Sequence, residues 1–574
     1  MGESISPSQV QRGDRRLPLA DEHSLLLSCE DKDGFAPCST VDASPPAYTD
    51  WLGRPACDRD LGGWKCSACF ICAYGFGVLM TTAVLANLVV FLVGEWGWSN
   101  VSGATTVNTL SGTGFIIAFF TGALTDAYIG RAWTSIICQT LAVVCFFCAT
   151  SILWVSRTLA SAAALRTAFI VLLYIFMVLT GPVLLVSITH TVASLLATLV
   201  VTYVDEAGLW VLGYWICTAC GGLAAALIWV AAPHCRIYKV SRNALIRIAQ
   251  VFVAAWRRRS LPDCTEGQMP NGCQESKCFS DPLIERTAGA NLMSFLDKAA
   301  ILSSADPQLN EPNPWRICSV EQVEDLKTLL RVIPIGISFT FLTATSALVT
   351  SLFEEQGLVM DRQVTSWLIL PPASLIFFSI AGALFMGFLN AFGGARCIGS
   401  LIRCCQRSGY GENPSALQMQ ALGLVLCIIG TTFAAVVECW RLKTMSQDGS
   451  LLSILCLVPQ TFIIGASMHI NIASSFDFFY TEAPDEMRMA SNCVLFLFHG
   501  CGNYVNSILV ATVTAITARA GRKGWISSDL NEGHLDYFYA LYASLLLVIL
   551  CTHLAYANYY ARAKKLQPIY NRFS

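Results

Sequence analysis

The sequence predicts an all-α membrane protein with about twelve transmembrane helices in two six-helix bundles. Three observations carry this expectation. Of 574 residues, 54% are hydrophobic and only 13% charged, against roughly 25% charged in soluble domains; mean hydropathy is +0.55. Uncharged or nearly uncharged stretches recur that are long enough to cross a hydrocarbon core about 30 Å thick. A polar, charge-rich segment from 233 to 328 divides them six and six.

In chain order, a polar tail over 1–66 is rich in Asp, Ser and Pro. It has no short apolar core followed by a small-residue cleavage site, so no cleavable signal peptide is expected. Spans follow near 68–93, 104–125, 132–155, 167–186, 187–204 and 209–232, making an N-terminal bundle over 67–232. The linker over 233–328 includes Val240–Arg259, where Leu245, Ile246, Ile248, Val251, Phe252 and Trp256 alternate with Arg242, Arg247 and Arg257–Arg259. That pattern suits an amphipathic helix, lying on the membrane surface or solvated. Spans near 329–352, 364–391, 416–439, 451–476, 488–517 and 536–560 make a C-terminal bundle over 329–560, before a tail over 561–574.

Positive charge orients the chain. Arg131, Arg236, Lys239, Arg257–Arg259, Arg396, Arg403, Arg407, Arg562, Lys564 and Lys565 fall on one side, whereas the 94–103 and 205–208 connections carry no Lys or Arg. Tails and linker are therefore expected in the cytoplasm. Arg519, Arg522 and Lys523 are exceptions, in an outer loop shared with Asp529, Glu532 and Asp536.

Composition also excludes function classes. A net charge of −2 with scattered basic residues gives no nucleic-acid surface. No H-E-x-x-H, G-x-S-x-G or P-loop is present, so an enzyme is not expected, nor a cofactor. Many of the 25 cysteines lie inside apolar spans (Cys138, Cys145, Cys148, Cys217, Cys220, Cys427, Cys456, Cys551), and the C-x-x-C pairs among them stand too far apart in sequence to make a paired ribbon. They read as small buried residues rather than metal ligands.

Between the second and third spans, Gly122-Ala-Leu-Thr-Asp126-Ala-Tyr-Ile-Gly130-Arg131 places charges in a short turn, where a charge escapes the several kcal/mol that mid-span burial costs. The pattern G-x-x-x-D-x-x-x-G-R resembles the loop signature of the major facilitator superfamily. From Gly62 to Tyr560 the chain resembles the plant nitrate/peptide transporter family, a branch of the proton-coupled oligopeptide transporters. Gly62-Gly-Trp64, Arg247–Trp256, Phe295–Ala300, Trp315–Glu324, Leu370–Leu375, Val458-Pro-Gln460, Phe478–Arg488, Gly502-Asn-Tyr504 and Gly533–Tyr537 carry the resemblance. It implies a major facilitator fold, with alternating access around a central cavity, and a gating role for Gly122, Asp126, Gly130 and Arg131.

The chain departs from that family where charge is concerned. The Glu-x-x-Glu-Arg cluster usual in the first helix is replaced by Tyr74-Gly-Phe-Gly-Val78. A lysine usual in the fourth helix has no match in Leu179-Thr-Gly-Pro-Val-Leu-Leu185, and where the tenth helix usually has an acid after Gly-Ala-x, Gly465-Ala-Ser467 is followed here by Met468 and His469. His190, His469 and His499 are then expected to be the only deep titratable groups, which implies weak or absent proton coupling. Thr167–Val204 runs without a formal charge, broken only by Gly181-Pro182: either helices four and five meet in a tight turn, or a segment has been lost.

Asn87, His190, His469, Asn503 and Asn506 are the candidate cavity residues, each weighed against a purely structural hydrogen-bonding role. Asn100-Val-Ser102 is formally a glycosylation acceptor, but reads better as the N-cap of the second helix. Asp21-Glu22-His-Ser-Leu25-Leu26 fits an acidic dileucine sorting signal, which would choose between plasma and vacuolar membrane. The expected function is secondary transport of a small solute (nitrate, an organic anion such as a hormone, or another small metabolite), with the bilayer and a proton or other ion as partners. Peptides are disfavoured, because reading their termini needs fixed charges. The alternative is a transport-inactive receptor or regulatory paralogue, or an incomplete gene product that keeps the fold.

Overall fold

Reciprocal side-chain caps fix where several helices begin. Ser319 and Gln322 exchange hydrogen bonds with each other's backbone N–H at 3.2 Å each, and Ser415 and Gln418 do the same. The structure, a computed structural model, describes residues 48–49, 51, 62–125, 130–158, 163–180, 188–235, 237–238, 244–259, 293–300, 315–392, 415–483, 488–519 and 523–570.

Six helical passages precede the linker. They are α1 (Gly63–Val90, continued by a π-helical turn Phe91–Glu95), α2 (Asn100–Leu124), α3 (Arg131–Thr158), α4 (Ala163–Thr180), α5 (Ile188–Leu196, running on through Ala197–Val201 to Glu206) and α6 (Trp210–Ala231). Six follow it: α7 (Val320–Ser346), α8 (Leu375–Ala391), α9 (Ala416–Asp448), α10 (Val458–Glu482), α11 (Arg488–Thr517) and α12 (Leu535–Tyr570). Among the described residues, ten helices are long and apolar enough to cross a membrane. The Thr-, Ser- and Gly-rich α2 and the interrupted α5 complete twelve passages among the described residues.

Several boundaries differ from expectation, four of them for identifiable reasons. The cap of α2 is Ser99, whose Oγ accepts from Ser102 N, while Asn100 already sits in the helix. The seventh helix ends at Ser346 rather than 352 and is followed by a short separate helix, Leu352–Leu358. The eighth begins at Leu375 rather than 364, because the residues before it form an antiparallel hairpin, Gln363–Thr365 with Leu368–Ile369, and Pro371-Pro372 then starts a new helical turn. A short apolar run does not distinguish strand from helix, and proline is favoured in a helix's first turn. Finally, α4 and α5 are short. Thr189 meets α1 at Gly75, twelve residues or about 18 Å inside the start of α1 at Gly63; residues 181–187 lie outside the described set.

Each bundle has its own apolar core. Met80, Leu88, Phe91, Phe146, Phe169 and Phe176 centre the first; Phe353, Leu424, Ile464, Phe538 and Tyr539 centre the second. The cores interlock: Ala86 of α1 and Ala104 of α2 are buried in the second, and Leu358 packs on the first. Lipid tails are as apolar as these side chains, so close backbone approach and hydrogen bonds hold helices together. The α2–α11 pair shows this along its length, from Thr105 with Ser507 to Gly122 with Cys493. In the linker, helix Ala244–Arg257 lays Val251, Ala254 and Ala255 against Leu296, Ala299, Val323 and Leu326.

Candidate functional site

The end of the molecule opposite the linker is closed by contacts between the bundles. Arg362, just before the hairpin, donates from Nη1 to Glu206 Oε1 at the end of α5, 2.6 Å away. Asn100 Nδ2 donates to the carbonyls of Ser527 (2.9 Å) and Ser528 (3.3 Å). On the α2–α11 seam that joins the bundles, the hydroxyls of Thr113 and Tyr504 lie 2.7 Å apart.

Beneath this closure, the short helix after α7 carries three adjacent polar residues into the interior. Glu354 and Glu355 are 0% and 1% exposed, and neither has an ion-pair partner among the described residues. Glu355 stands against the start of α2, its Oε1 3.5 Å from where a Cβ on Gly103 would lie. Gln356 turns the other way and donates to Glu438 Oε2 at 2.6 Å, while Tyr539 Oη donates to Gln356 Oε1 at 3.2 Å. Arg441 grips Glu438 through Nε and Nη2, both at 2.8 Å, and reaches Asn531 Oδ1 at 2.6 Å and Leu530 O at 3.1 Å. With its charge matched and its donors used, this buried pair avoids the cost of an unpaired ion.

Sequence reasoning named none of these residues. A signal was present: Phe353-Glu-Glu-Gln-Gly357 interrupts an apolar region with two acids, and Glu438 and Arg441 stand three apart on an apolar helix, the spacing of an intrahelical pair. The expectation that His190, His469 and His499 are the only deep titratable groups is thereby corrected. Asp205 belongs with the omissions: it is buried and accepts a 2.6 Å hydrogen bond from Asn87 Nδ2.

The candidate cavity residues fall into different settings. Asn87 is tied to Asp205 within the first bundle. His190 lies beside Tyr74, ring centroids 6.3 Å apart. His469 faces Gly387 of α8, where an added Cβ would stand 3.1 Å from the ring, so it fills a gap between α10 and α8. Asn503 donates back to His499 O in its own helix at 3.1 Å. Asn506 is fully buried, and both its amide atoms lack a hydrogen-bond partner among the described residues, as do those of Asn108.

The structure brings His499 rather than His469 to the boundary between bundles. Its ring lies 3.9 Å from that of Phe115 on α2 and 6.3 Å from that of Phe339 on α7, centroid to centroid. With Thr109 and Tyr174 (2.6 Å) and Thr113 and Tyr504 nearby in sequence on α2, this gives a neutral layer of rings, hydroxyls and amides. Of the loop residues, Gly130 has φ +82°, a backbone shape that favours glycine, and Gly122 touches Cys493. Asp126, the Arg131 side chain and the sorting-signal residues Asp21, Glu22, Leu25 and Leu26 lie outside the described set.

The sequence model of the POT family matches residues 186–526. The chain belongs to this family. Its curated relatives include Protein NRT1/PTR FAMILY 7.3 of Arabidopsis thaliana, 28% identical over 89% of this chain and 90% of that one. Protein NRT1/PTR FAMILY 8.3 of the same plant is 29% identical over 90% and 94%. Among solved structures, an auto-inhibited POT family peptide transporter superposes with a TM-score of 0.62 over 86% of this chain and 97% of its own, at 14% identity. The POT family transporter PepTSo gives 0.59 over 86% and 99%, at 13% identity. The fold is that of the major facilitator superfamily, and the chain is a membrane-embedded secondary transporter of small solutes that works by alternating access, not an enzyme.

Proposed function

We propose that the chain moves a small organic molecule, neutral or singly anionic, across the plasma or vacuolar membrane, with tails and linker in the cytoplasm and the structure representing the state closed to the opposite side. The Phe115–His499–Phe339 stack supports this substrate class: aromatic faces and neutral donors suit a planar organic solute. Fixed charges for both peptide termini are missing from that layer. Nitrate is the smaller alternative within the same reading.

Coupling runs through carboxylates rather than histidines in this proposal, and the observation that carries it is the buried, adjacent Glu354 and Glu355. Two bare carboxylates cannot both stay ionised side by side in a dry site. Opening the far side hydrates them and lets them take up protons from that side, which closure then traps; coupling requires those protons to leave toward the linker side before the far side reopens, so that protonation differs between the two facing states. The early expectation of weak or absent coupling rested on there being no such group. The experiment is uptake from a panel of organic anions and nitrate into oocytes or vesicles, with and without an inward proton gradient. Accumulation that collapses with a protonophore supports the reading, and gradient-independent uptake removes the coupling half of it.

A transport-inactive receptor has one observation in its favour. Helix α4 stops three residues past Met177, which meets α2 at Gly114. Among the described residues, helical cover on the linker side of that contact is thus about seven residues, or roughly 10 Å, shorter in α4 than in α2. Specific binding of a panel member without uptake by surface-expressed protein would select that reading.

A further inference from the structure

The linker helix Ala244–Arg257 has a second face that the transport reading does not use. Its first face is spent against the start of α7, where Arg247 also pairs with Asp325 at 3.6 Å. On the other, Trp256 is 69% exposed, and Phe252 of the same helix and Phe295 of the next segment are exposed beside it. These three rings edge a concavity of about 530 Å³ that Arg257, Arg259 and Lys298 also line. The Arg259 guanidinium lies 4.7 Å above the Trp256 ring, and Lys298 Nζ donates to Arg259 O at 3.3 Å, drawing the cations to one end.

Apolar rings beside clustered cations form a surface for an amphiphile, not for a simple anion. The platform is docked on Val323 and Leu326, in the first two turns of α7, whose apolar run then enters the bilayer. That places the rings near headgroup height, where Trp sits with its ring in the boundary region and Arg and Lys meet phosphates. We propose that this concavity binds one anionic phospholipid of the cytoplasmic leaflet, its phosphate held by Arg257, Arg259 and Lys298 and its upper acyl chain against Phe252, Trp256 and Phe295. The identity of the leaflet rests on the orientation proposed above; the lipid chemistry does not.

The test uses the purified full-length protein in nanodiscs of phosphatidylcholine alone or with a quarter phosphatidylserine. Readouts are the lipids retained in native mass spectrometry and the quenching of Trp256 by brominated phosphatidylserine, measured against a Trp256→Phe control. The expected result is retention of phosphatidylserine over phosphatidylcholine by at least about tenfold, given that each basic residue near an anionic surface contributes several-fold. The combined Arg257→Gln, Arg259→Gln and Lys298→Gln variant should lose that preference, and Arg562→Gln, on the C-terminal helix, should keep it. Equal retention of both lipids by the wild-type chain overturns the proposal. So does displacement of phosphatidylserine by millimolar inorganic phosphate, which would mark a site for soluble anions. The wild-type comparison and the phosphate competition decide the matter even if the triple variant fails to fold, and neither depends on transport.

Discussion

Gly112 and Gly500 pack backbone to backbone across the two bundles. A Cβ on Gly500 would stand 2.8 Å from the Gly112 carbonyl oxygen, and one on Gly112 would stand 3.0 Å from that of Gly500. Around this point α2 and α11 stay in contact from Thr105–Ser507 to Gly122–Cys493. The residues that make α2 less apolar than its neighbours are thus the ones that let two backbones meet inside a membrane.

Gly500→Val should therefore damage the seam more than a substitution of similar size on a lipid face, such as Ile508→Phe. Overpacking typically costs about 1–3 kcal/mol, and here the obstacle is backbone. Thermal melts of detergent-purified variants check this; equal melting temperatures for Gly500→Val and wild type would show that α2 and α11 are not so close.

Because the seam is packed along its length, the bundles should rock about it rather than part there. A cysteine at Gly122 would have its Cβ 3.5 Å from Cys493 Sγ. Oxidising Gly122→Cys should cross-link it to Cys493, detected by peptide mapping, and leave at least about half of the uptake in place, since a hinge absorbs motion without separating. Full loss of uptake, restored by reductant, would show the seam opening in each cycle.

Arg441→Ala leaves Glu438 without its cation in a dry interior and removes the tie to Asn531 and Leu530. Breaking a buried pair in this way costs about 3–5 kcal/mol. The variant should express poorly or melt far below wild type, whereas replacing both partners, Glu438→Gln with Arg441→Met, should recover part of the loss. Double-mutant melts that show no recovery would place the cost in lost packing instead.

For Glu354 and Glu355 the expected sign is explicit. On the proposed coupling, burial in the far-side-closed state favours the neutral form of each and hydration the ionised form, so lowering the external pH is expected to favour loading and raise uptake. Glu355→Gln should flatten that pH dependence, and Glu354→Gln should do so less, because Glu355 is the one placed against α2 and so senses the bundles parting. Unchanged pH profiles in both variants would move coupling elsewhere.

The all-α membrane fold and the number of passages were legible in the sequence, because apolar run length is a local property. The site was less so. His469 stood out as a charge-bearing residue in an apolar helix, yet it plugs the space left by Gly387, a partner on another helix that no spacing along α10 reveals. Attention to charges lost from family positions also hid Glu354 and Glu355, which sit in a break of helix seven that an apolar run of unbroken appearance concealed.

The central claim is that the chain transports by alternating access and is here closed on the side away from the linker through pairs such as Glu206 and Arg362. The most direct test is a Glu206→Cys, Arg362→Cys variant assayed for uptake of the best panel substrate before cross-linking by a bifunctional methanethiosulfonate long enough to span the ion pair, after it, and after reduction. The account predicts uptake that is lost on cross-linking and returns with reductant, because the far side can no longer open. Uptake that persists at full rate in quantitatively cross-linked protein would contradict it.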